Sequence, residues 1–178
     1  MAANLHFLIE DFQHRVEILL DNCRARGAVM IPYFTTRTPY EQARLWRQSR
    51  ATDEIKAKII QLRADGAPFL AHCLESVGPQ NGPPVTHALP GFSFHQWGEA
   101  LDSFWNVDGR AIWSTTQEIN GIQGYHVYAE EAKKLGLEAG GYWMNFQDWP
   151  HVQLRKEAHP GKLWPTGKIN DEMEARFR

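Results

Sequence analysis

The sequence predicts an α+β fold, and three observations lead to this prediction. Apolar residues recur at helical spacing over residues 5–25, which indicates an amphipathic helix near the N-terminus. Short runs with strand-like alternation occur at 28–34, 100–105 and 151–154. No internal repeat or low-complexity linker interrupts the 178 residues, so we predict one domain of ordinary size.

The other elements follow from local signals along the chain. Gly27 ends the first helix, and the strand at 28–34 leads toward Arg37. In Thr38-Pro39-Tyr40-Glu41, a capping threonine precedes a proline at the first helical position and a glutamate at the third, which predicts a helix start. Later helices are predicted from Asp53 to about Ala64 and from Tyr125 to Leu135, the second ending at Gly136.

These signals also predict how the chain is divided into segments. Residues 1–178 are predicted to form one domain, with an N-terminal helical segment at 1–26 and a core at about 27–155. Residues 78–84 are predicted to be a loop. Residues 168–178 are charged and predict a tail, either a short helix or a frayed end.

Composition excludes several classes of function. A net charge of −2 provides no basic surface for nucleic acid, and no segment has the length of a membrane span. Two widely spaced cysteines do not form a disulfide framework and are typical of a reducing compartment. Because the first residues lack a basic region followed by an apolar core, we expect synthesis in the cytoplasm without a signal peptide.

Two segments contain the residue types of a metal site. The first is Ser93-Phe94-His95-Gln96-Trp97-Gly98-Glu99-Ala100-Leu101-Asp102, and the second is Asp148-Trp149-Pro150-His151. His95, Asp102 and His151 together offer two imidazoles and one carboxylate, which bind zinc and leave a fourth tetrahedral position for water. A structural zinc would use four protein ligands, usually with several cysteines, so this ligand set predicts a catalytic zinc.

The spacing of the ligands also predicts local geometry. The interval from His95 to Asp102 exceeds one helical turn, so the helical His-Glu-x-x-His arrangement is excluded. Alternation along a strand would place Ala100, Asp102 and Phe104 on one face. The same alternation would place His151 and Gln153 together on one face of the later strand.

These motifs resemble a known family. Ser93-x-His95-x-x-Gly98-x-Ala100-x-Asp102, followed by a run from Gly136 to Gln153 that contains Asp148-x-Pro150-His151-x-Gln153, is similar to the VanY-like D-alanyl-D-alanine carboxypeptidase family of zinc peptidases. The similarity is greatest to its branch of single-domain phage endolysins, the L-alanyl-D-glutamate peptidases. The segment Thr35-Thr36-Arg37 to Gln42 resembles the family's Ser-x-Arg-x-x-x-x-Gln, with threonine at the usual serine position.

The resemblance implies a fold and a role for each matched residue. The fold would be a small antiparallel sheet flanked by helices, as in hedgehog and D-Ala-D-Ala peptidases. His95, Asp102 and His151 would bind Zn2+ as the cofactor. Asp148 would be the general base, a role that many relatives give to glutamate, and Arg37 would stabilise the oxyanion. The substrate-binding residue would be Ser93.

Several of these assignments have simpler alternatives. The three proposed ligands could be buried, hydrogen-bonded polar groups in a domain without turnover. Arg37 could be a surface ion-pair partner, and Ser93 could close a turn. His87 could line the cleft, although a loop position is favoured. The tryptophans beside the motifs could wall the cleft or pack in the core; they are Trp97, Trp143 and Trp149.

The sequence thus predicts a zinc-dependent peptidase of the bacterial cell wall. By resemblance it is an endolysin-type enzyme of bacteriophage lysis that hydrolyses the L-Ala-D-Glu bond of the peptidoglycan stem peptide. We expect a monomer that acts at the cell wall or periplasm after release. The alternatives are a D-Ala-D-Ala carboxypeptidase or dipeptidase, and a non-catalytic virion or wall-binding module. Should Asp148 not be the base, Glu99 and Glu138 are the next candidates.

Overall fold

A computed structural model describes residues 3–178 and has the α+β fold that the sequence predicts. The first two residues of the predicted helical segment 1–26 lie outside the described residues. The helices are α1 (Glu10–Ala25), α2 (Pro39–Arg47), α3 (Thr52–Ala64), α4 (Pro68–Ser76), α5 (Gly124–Lys134) and α6 (Thr166–Phe177). The strands are β1 (Val29–Phe34), β2 (Ala100–Val107), β3 (Arg110–Ile112), β4 (Glu138–Ala139) and β5 (His151–Gln153).

The five strands form one small sheet in which every pair is antiparallel. Strand order is β1-β2-β5-β4, and β3 also pairs with β2. β2 is therefore the central strand, with β1 along one edge and with β5 and β3 paired to different parts of the other edge. The prediction of a small antiparallel sheet is confirmed.

The hairpin from β2 to β3 was not predicted. Asp108 and Gly109 form its turn with φ values of 49° and 78°. Two positive φ values suit the two-residue turn whose twist matches that of antiparallel strands, and Asp-Gly favours it. β3 is only three residues long, so its sequence alternation is too brief to be recognised.

The N-terminal helix begins later than predicted. Leu5–Phe7 form a short 3-10 helix, and α1 starts only at Glu10. Ile9 has extended backbone angles and donates its N–H to the carbonyl of Gly98 over 3.0 Å, which interrupts the helical run. α1 buries four side chains in the apolar core: Phe12, Val16, Leu19 and Cys23.

The contacts of the chain fall into two units. The first comprises the residues up to Thr36 together with Trp97–Lys156, and it contains the sheet, α1 and α5. Its apolar core joins α1 and α5 to the inner face of the sheet, where Leu101 and Trp105 of β2 are buried. Gly136 has a φ of 72° just after α5, as predicted for the residue that ends this helix.

The second unit comprises Arg37–Gln96 and Glu157–Arg178. Helices α2, α3 and α6 each pack against α4, an apolar helix that the sequence analysis did not predict. The predicted capping box at the start of α2 is confirmed, because Thr38 and Glu41 exchange side-chain and backbone hydrogen bonds.

Residues 168–178, predicted to be a short helix or a frayed end, belong to helix α6. Ile169 and Met173 are buried, so one face of this charged helix packs inside the second unit. Asn170 accepts hydrogen bonds from the N–H groups of Phe69 and Leu70 at 2.8 and 3.2 Å, which satisfies two buried donors in the first turn of α4. The terminal segment therefore stabilises α4.

Across residues 3–178, none of the helices combines the length and the apolar character that crossing a bilayer would require.

Glu131 of α5 forms ion pairs with two basic side chains. Its side chain is 6% exposed and pairs with Lys134 at 2.6 Å and with Arg26 at 2.7 Å. The hydrogen bond from Lys134 lowers the pKa of Glu131, burial opposes this effect, and the hydrogen bond from Arg26 adds to it. Because the pKa of Glu131 is lower in the folded protein, the paired carboxylate stabilises the fold at pH values above its pKa in the unfolded chain, about 4.3. This stabilisation is lost as the pH falls through the pKa of the folded protein.

We expect Glu131→Gln to reduce the free energy of unfolding by about 1–2 kcal/mol at neutral pH, because charged hydrogen bonds are lost. Denaturant unfolding at several pH values should show the difference from wild type shrinking below about pH 4. Asp21→Asn is the matched control, because Asp21 forms an exposed ion pair with Arg24. A pH-independent difference would contradict the electrostatic explanation.

Candidate active site

His95 is presented by a short 3-10 helix, Phe94–Trp97, immediately before β2. The carbonyl of Ser93 accepts the N–H of Gln96 at 3.0 Å and so closes this turn, while Ser93 itself is half-buried. Gly98 follows with a φ of 69°, and a side chain at this position would crowd the carbonyl oxygen of Phe7. The turn between His95 and β2 thus requires glycine.

Asp102 and His151 lie opposite each other on neighbouring strands. The register of β2 and β5 pairs these two residues directly, and such pairs bring side chains on one face close together. Leu101 and Trp105 point into the core on the other face of β2, as the predicted alternation requires. The prediction of which β2 residues share a face is therefore confirmed.

The structure brings the three predicted ligands together. One potential donor atom from each of His95, Asp102 and His151 lies within 4.8 Å of the others. Both histidines are buried, and the aspartate is half-buried. Two imidazole nitrogens and a carboxylate oxygen form a donor set that zinc accepts in catalytic sites, so the residues present fit a zinc ion.

A close contact links two of these ligands. His151 Nδ1 lies 2.9 Å from Asp102 Oδ1. Burial alone would lower the pKa of His151, but the hydrogen bond and negative charge of Asp102 outweigh this effect, and the charge of Asp148 adds to it. The net result is a raised pKa, because the negative charges of the two carboxylates favour the protonated ring.

A buried amide lies on the other side of the His151 ring. Gln153 Oε1 is 3.1 Å from His151 Nε2, and Gln153 Nε2 donates to the carbonyl of Arg155 over 2.7 Å. Gln153 is 2% exposed. Both nitrogens of the His151 ring therefore have polar neighbours, Asp102 at one and Gln153 at the other.

Glu99 is already engaged in a structural ion pair. Its carboxylate accepts two hydrogen bonds from the Arg155 guanidinium, from Nε at 2.9 Å and from Nη2 at 2.7 Å. The Glu99 side chain is only 6% exposed. A two-point pair of this kind holds the carboxylate in a fixed orientation.

Asp148 is carried by a turn that packs on a glycine. Its N–H donates to the carbonyl of Gly140 over 3.0 Å, and its own carbonyl accepts the N–H of His151 at 3.1 Å. A side chain at Gly140 would overlap the carbonyl oxygen and approach Cβ of Asp148. The turn thus connects the proposed base to a proposed ligand and leaves Asp148 half-buried.

Arg37 lies next to His95 through the backbone. Its N–H donates to the carbonyl of His95 over 3.3 Å, and its Nη1 donates to Gln42 Oε1 over 2.8 Å. Gln42 is fully buried, and its amide nitrogen donates in turn to the carbonyl of Ala88 at 2.6 Å. The fixed Gln42 amide orients the guanidinium of Arg37, which gives a physical reason for the Arg-x-x-x-x-Gln spacing.

The three tryptophans beside the motifs have different environments. Trp143 lies at the site, with its ring centroid 5.2 Å from that of His151. Trp149 packs against the core and stacks on His126 at 4.4 Å, and Trp97 is buried. His87 is exposed on the loop before the 3-10 helix, outside the three-ligand cluster.

Comparison with known proteins places this geometry in context. Residues 87–154 match the family described as D-alanyl-D-alanine carboxypeptidase. The predicted resemblance is confirmed over this segment. The chain is also similar to the peptidoglycan L-alanyl-D-glutamate endopeptidase CwlK of Bacillus subtilis (strain 168), with 38% identity over 73 residues. That alignment covers 39% of this chain and 44% of the relative, so the chain spans less than half the length of the relative it matches.

The segment matched by the family contains every candidate site residue except Arg37. Gln42 and Gln153 lie within the motifs, but the sequence predicted no role for either of them. Arg155 was not predicted at all, because an arginine just beyond a short strand carries no distinguishing local signal. Only the fold reveals that these side chains support Arg37, His151 and Glu99.

Proposed function

We propose that this protein is a zinc-dependent peptidoglycan peptidase of the endolysin type, which hydrolyses the L-Ala-D-Glu bond of the stem peptide. The observation that carries the proposal is the convergence of His95, Asp102 and His151 beside the turn that bears Asp148. The name of the similar Bacillus subtilis protein states the same bond. The site of action would be the bacterial cell wall, and we expect a monomer.

Each residue of the site has a distinct task in this proposal. When bound, zinc supplies Lewis-acid polarisation of the scissile carbonyl and activates water for attack at neutral pH. His95, Asp102 and His151 would hold the ion. Asp148 would accept the proton of the attacking water and deliver it to the leaving amine.

Arg37 and Ser93 would act on the substrate. The Arg37 guanidinium, oriented by Gln42, would stabilise the negative charge that develops on the carbonyl oxygen. Ser93 is proposed to contact the substrate, since it immediately precedes the turn that presents His95. Its backbone also closes that turn, so the two roles are compatible.

We expect Arg37→Ala to lower kcat more than it raises KM, because the guanidinium is needed mainly when negative charge develops. Loss of one such donor typically costs about 10²- to 10³-fold in kcat. Arg37→Lys should restore little, since an ammonium cannot reproduce the planar fork that meets Gln42. Steady-state kinetics on a defined stem peptide would test this, with the exposed Arg24→Ala as control. A change in KM alone would make Arg37 a ground-state anchor.

Digestion of purified sacculi followed by mass spectrometry of the products tests the proposed bond. We expect new D-Glu amino termini and no new reducing sugar ends, because the proposed site attacks amide carbonyls. The zinc-loaded protein should be active, and the chelated protein should be inactive until zinc is restored. New amino termini at another position of the stem peptide would show that a different bond is cleaved.

A second candidate is a D-Ala-D-Ala carboxypeptidase or dipeptidase, which the description of the matched family favours. Release of free D-Ala alone from the same digestion would support this candidate. A zinc-loaded protein that releases no product from sacculi would instead be a non-catalytic wall-binding module. The single digestion therefore separates the three functions.

A further inference from the structure

We propose that Gln153 is a positioning residue for His151, and that the ion pair between Glu99 and Arg155 holds Gln153 in this role. The proposal rests on the proposed metal centre and adds residues that have no assigned task. Gln153 lies within hydrogen-bond distance of His151 and of the Arg155 carbonyl, and the Arg155 side chain pairs with Glu99.

The first step is the orientation of the Gln153 amide. The backbone carbonyl of Arg155 can only accept a hydrogen bond, so the Gln153 atom 2.7 Å away must be the amide nitrogen. The amide oxygen then faces His151 Nε2 at 3.1 Å. The Arg155 carbonyl thus settles which end of the amide meets the imidazole.

The second step is the orientation of the His151 ring. An amide oxygen can only accept, so His151 Nε2 must carry a hydrogen. In the protonated ring Nδ1 donates to Asp102 over 2.9 Å; in the neutral ring, which is the form that binds a metal, the lone pair then belongs to Nδ1. A metal binds the nitrogen that has the lone pair, so the Gln153 contact presents the correct nitrogen to the ligand cluster.

The third step is the rigidity of the Arg155 carbonyl. The Glu99 carboxylate accepts two hydrogen bonds from the Arg155 side chain, and the backbone carbonyl of Glu99 accepts the N–H of Leu154 over 2.9 Å. The side-chain and backbone bonds of Glu99 together fix the segment from which the Arg155 carbonyl projects. Glu99 therefore acts on His151 through Arg155 and Gln153.

The test measures zinc affinity by competition with a chromophoric chelator at neutral pH. We expect Gln153→Met, which keeps length but loses the amide, to raise the zinc Kd about 10- to 100-fold, the usual effect of removing a partner of a metal ligand. Gln153→Glu should lose less, because a carboxylate still accepts the Nε2 hydrogen. Glu99→Gln should raise the Kd by a smaller factor than Gln153→Met.

A second readout reports the ring directly. In nitrogen NMR of the zinc-loaded wild type, His151 should show a slowly exchanging Nε2–H, and in Gln153→Met this hydrogen should exchange rapidly. The matched control is Tyr125→Phe, which removes a partly buried hydrogen bond to the carbonyl of Ile112 at 2.9 Å in the same unit. The control should leave the zinc Kd and the Nε2–H unchanged.

The outcomes separate this inference from the proposed function. A folded Gln153→Met protein with the wild-type zinc Kd would overturn the inference while leaving the peptidase proposal intact. If Gln153→Met does not fold, a wild-type zinc Kd in Glu99→Gln would overturn the inference equally. A wild-type protein that binds no zinc would refute the metal centre and this inference together.

Discussion

Replacing Asp148 by asparagine should reduce kcat by about 10²- to 10⁴-fold while the protein keeps its zinc and its fold. The amide has nearly the shape of the carboxylate, so the turn that binds Gly140 and His151 through its backbone should persist. The amide cannot accept the proton of the attacking water, so the rate of the chemical step should fall while metal binding is unchanged. Kinetics on a stem peptide, paired with metal analysis of the same sample, measure both effects.

Glu138→Gln is the matched control for this experiment. Glu138 is a half-buried carboxylate on β4, and its replacement should leave kcat near the wild-type value. An Asp148→Asn enzyme with nearly full activity would contradict the assignment of the base. The role would then pass to Glu138 before Glu99, because Arg155 already occupies both oxygens of the Glu99 carboxylate.

Replacing His151 by alanine should abolish zinc binding and, with it, activity. The wild type should contain about one zinc per chain, because three protein ligands and one water complete the tetrahedron. Two remaining ligands, His95 and Asp102, cannot hold the ion against a chelator at neutral pH. His95→Ala and Asp102→Ala should behave alike, and metal analysis after dialysis would measure the loss.

His87→Ala is the appropriate control for the ligand variants, because His87 is an exposed histidine on a loop. Its zinc content should equal that of the wild type. Stoichiometric zinc in His151→Ala would show that the ligand set has been assigned wrongly. Restoration of activity by zinc after chelation of the wild type would exclude irreversible unfolding as the cause of inactivity.

The elements that the sequence predicted well have signals within a few residues. The capping box of α2, the glycine after α5 and the alternation of β2 each depend on neighbouring side chains. The elements that were missed lack such signals. α4 has only nine residues and no side-chain cap at its start, and β3 and β4 contain only three and two residues.

The terminal elements illustrate a different difficulty. The charged last residues were predicted to be a short helix or a frayed end, but the sequence did not predict that Asn170 of α6 caps α4 from about 100 positions away along the chain. The start of α1 was misplaced because Ile9 bonds to Gly98, a residue in a distant segment. Hydrogen bonds between residues so far apart in the sequence depend on the tertiary structure, and no local sequence pattern predicts them.

The candidate site divides in the same way. The residue types and their order predicted three ligands, and one potential donor atom from each lies within 4.8 Å of the others. The supporting contacts did not follow from the motifs, since a glutamine can point in many directions. The buried Gln42 amide beside Arg37, and the Gln153 amide beside His151, became evident only from their distances.

The contact between Gly140 and Asp148 has a consequence for how this site could change during evolution. The backbone of Asp148 lies directly on Gly140, and no methyl group fits between them. Substitutions at these two positions should therefore be non-additive, as expected for residues in contact. An alanine at 140 would push the turn outward and harm an enzyme with aspartate at 148. A glutamate at 148 extends one methylene further, so the same alanine should be better tolerated in its presence.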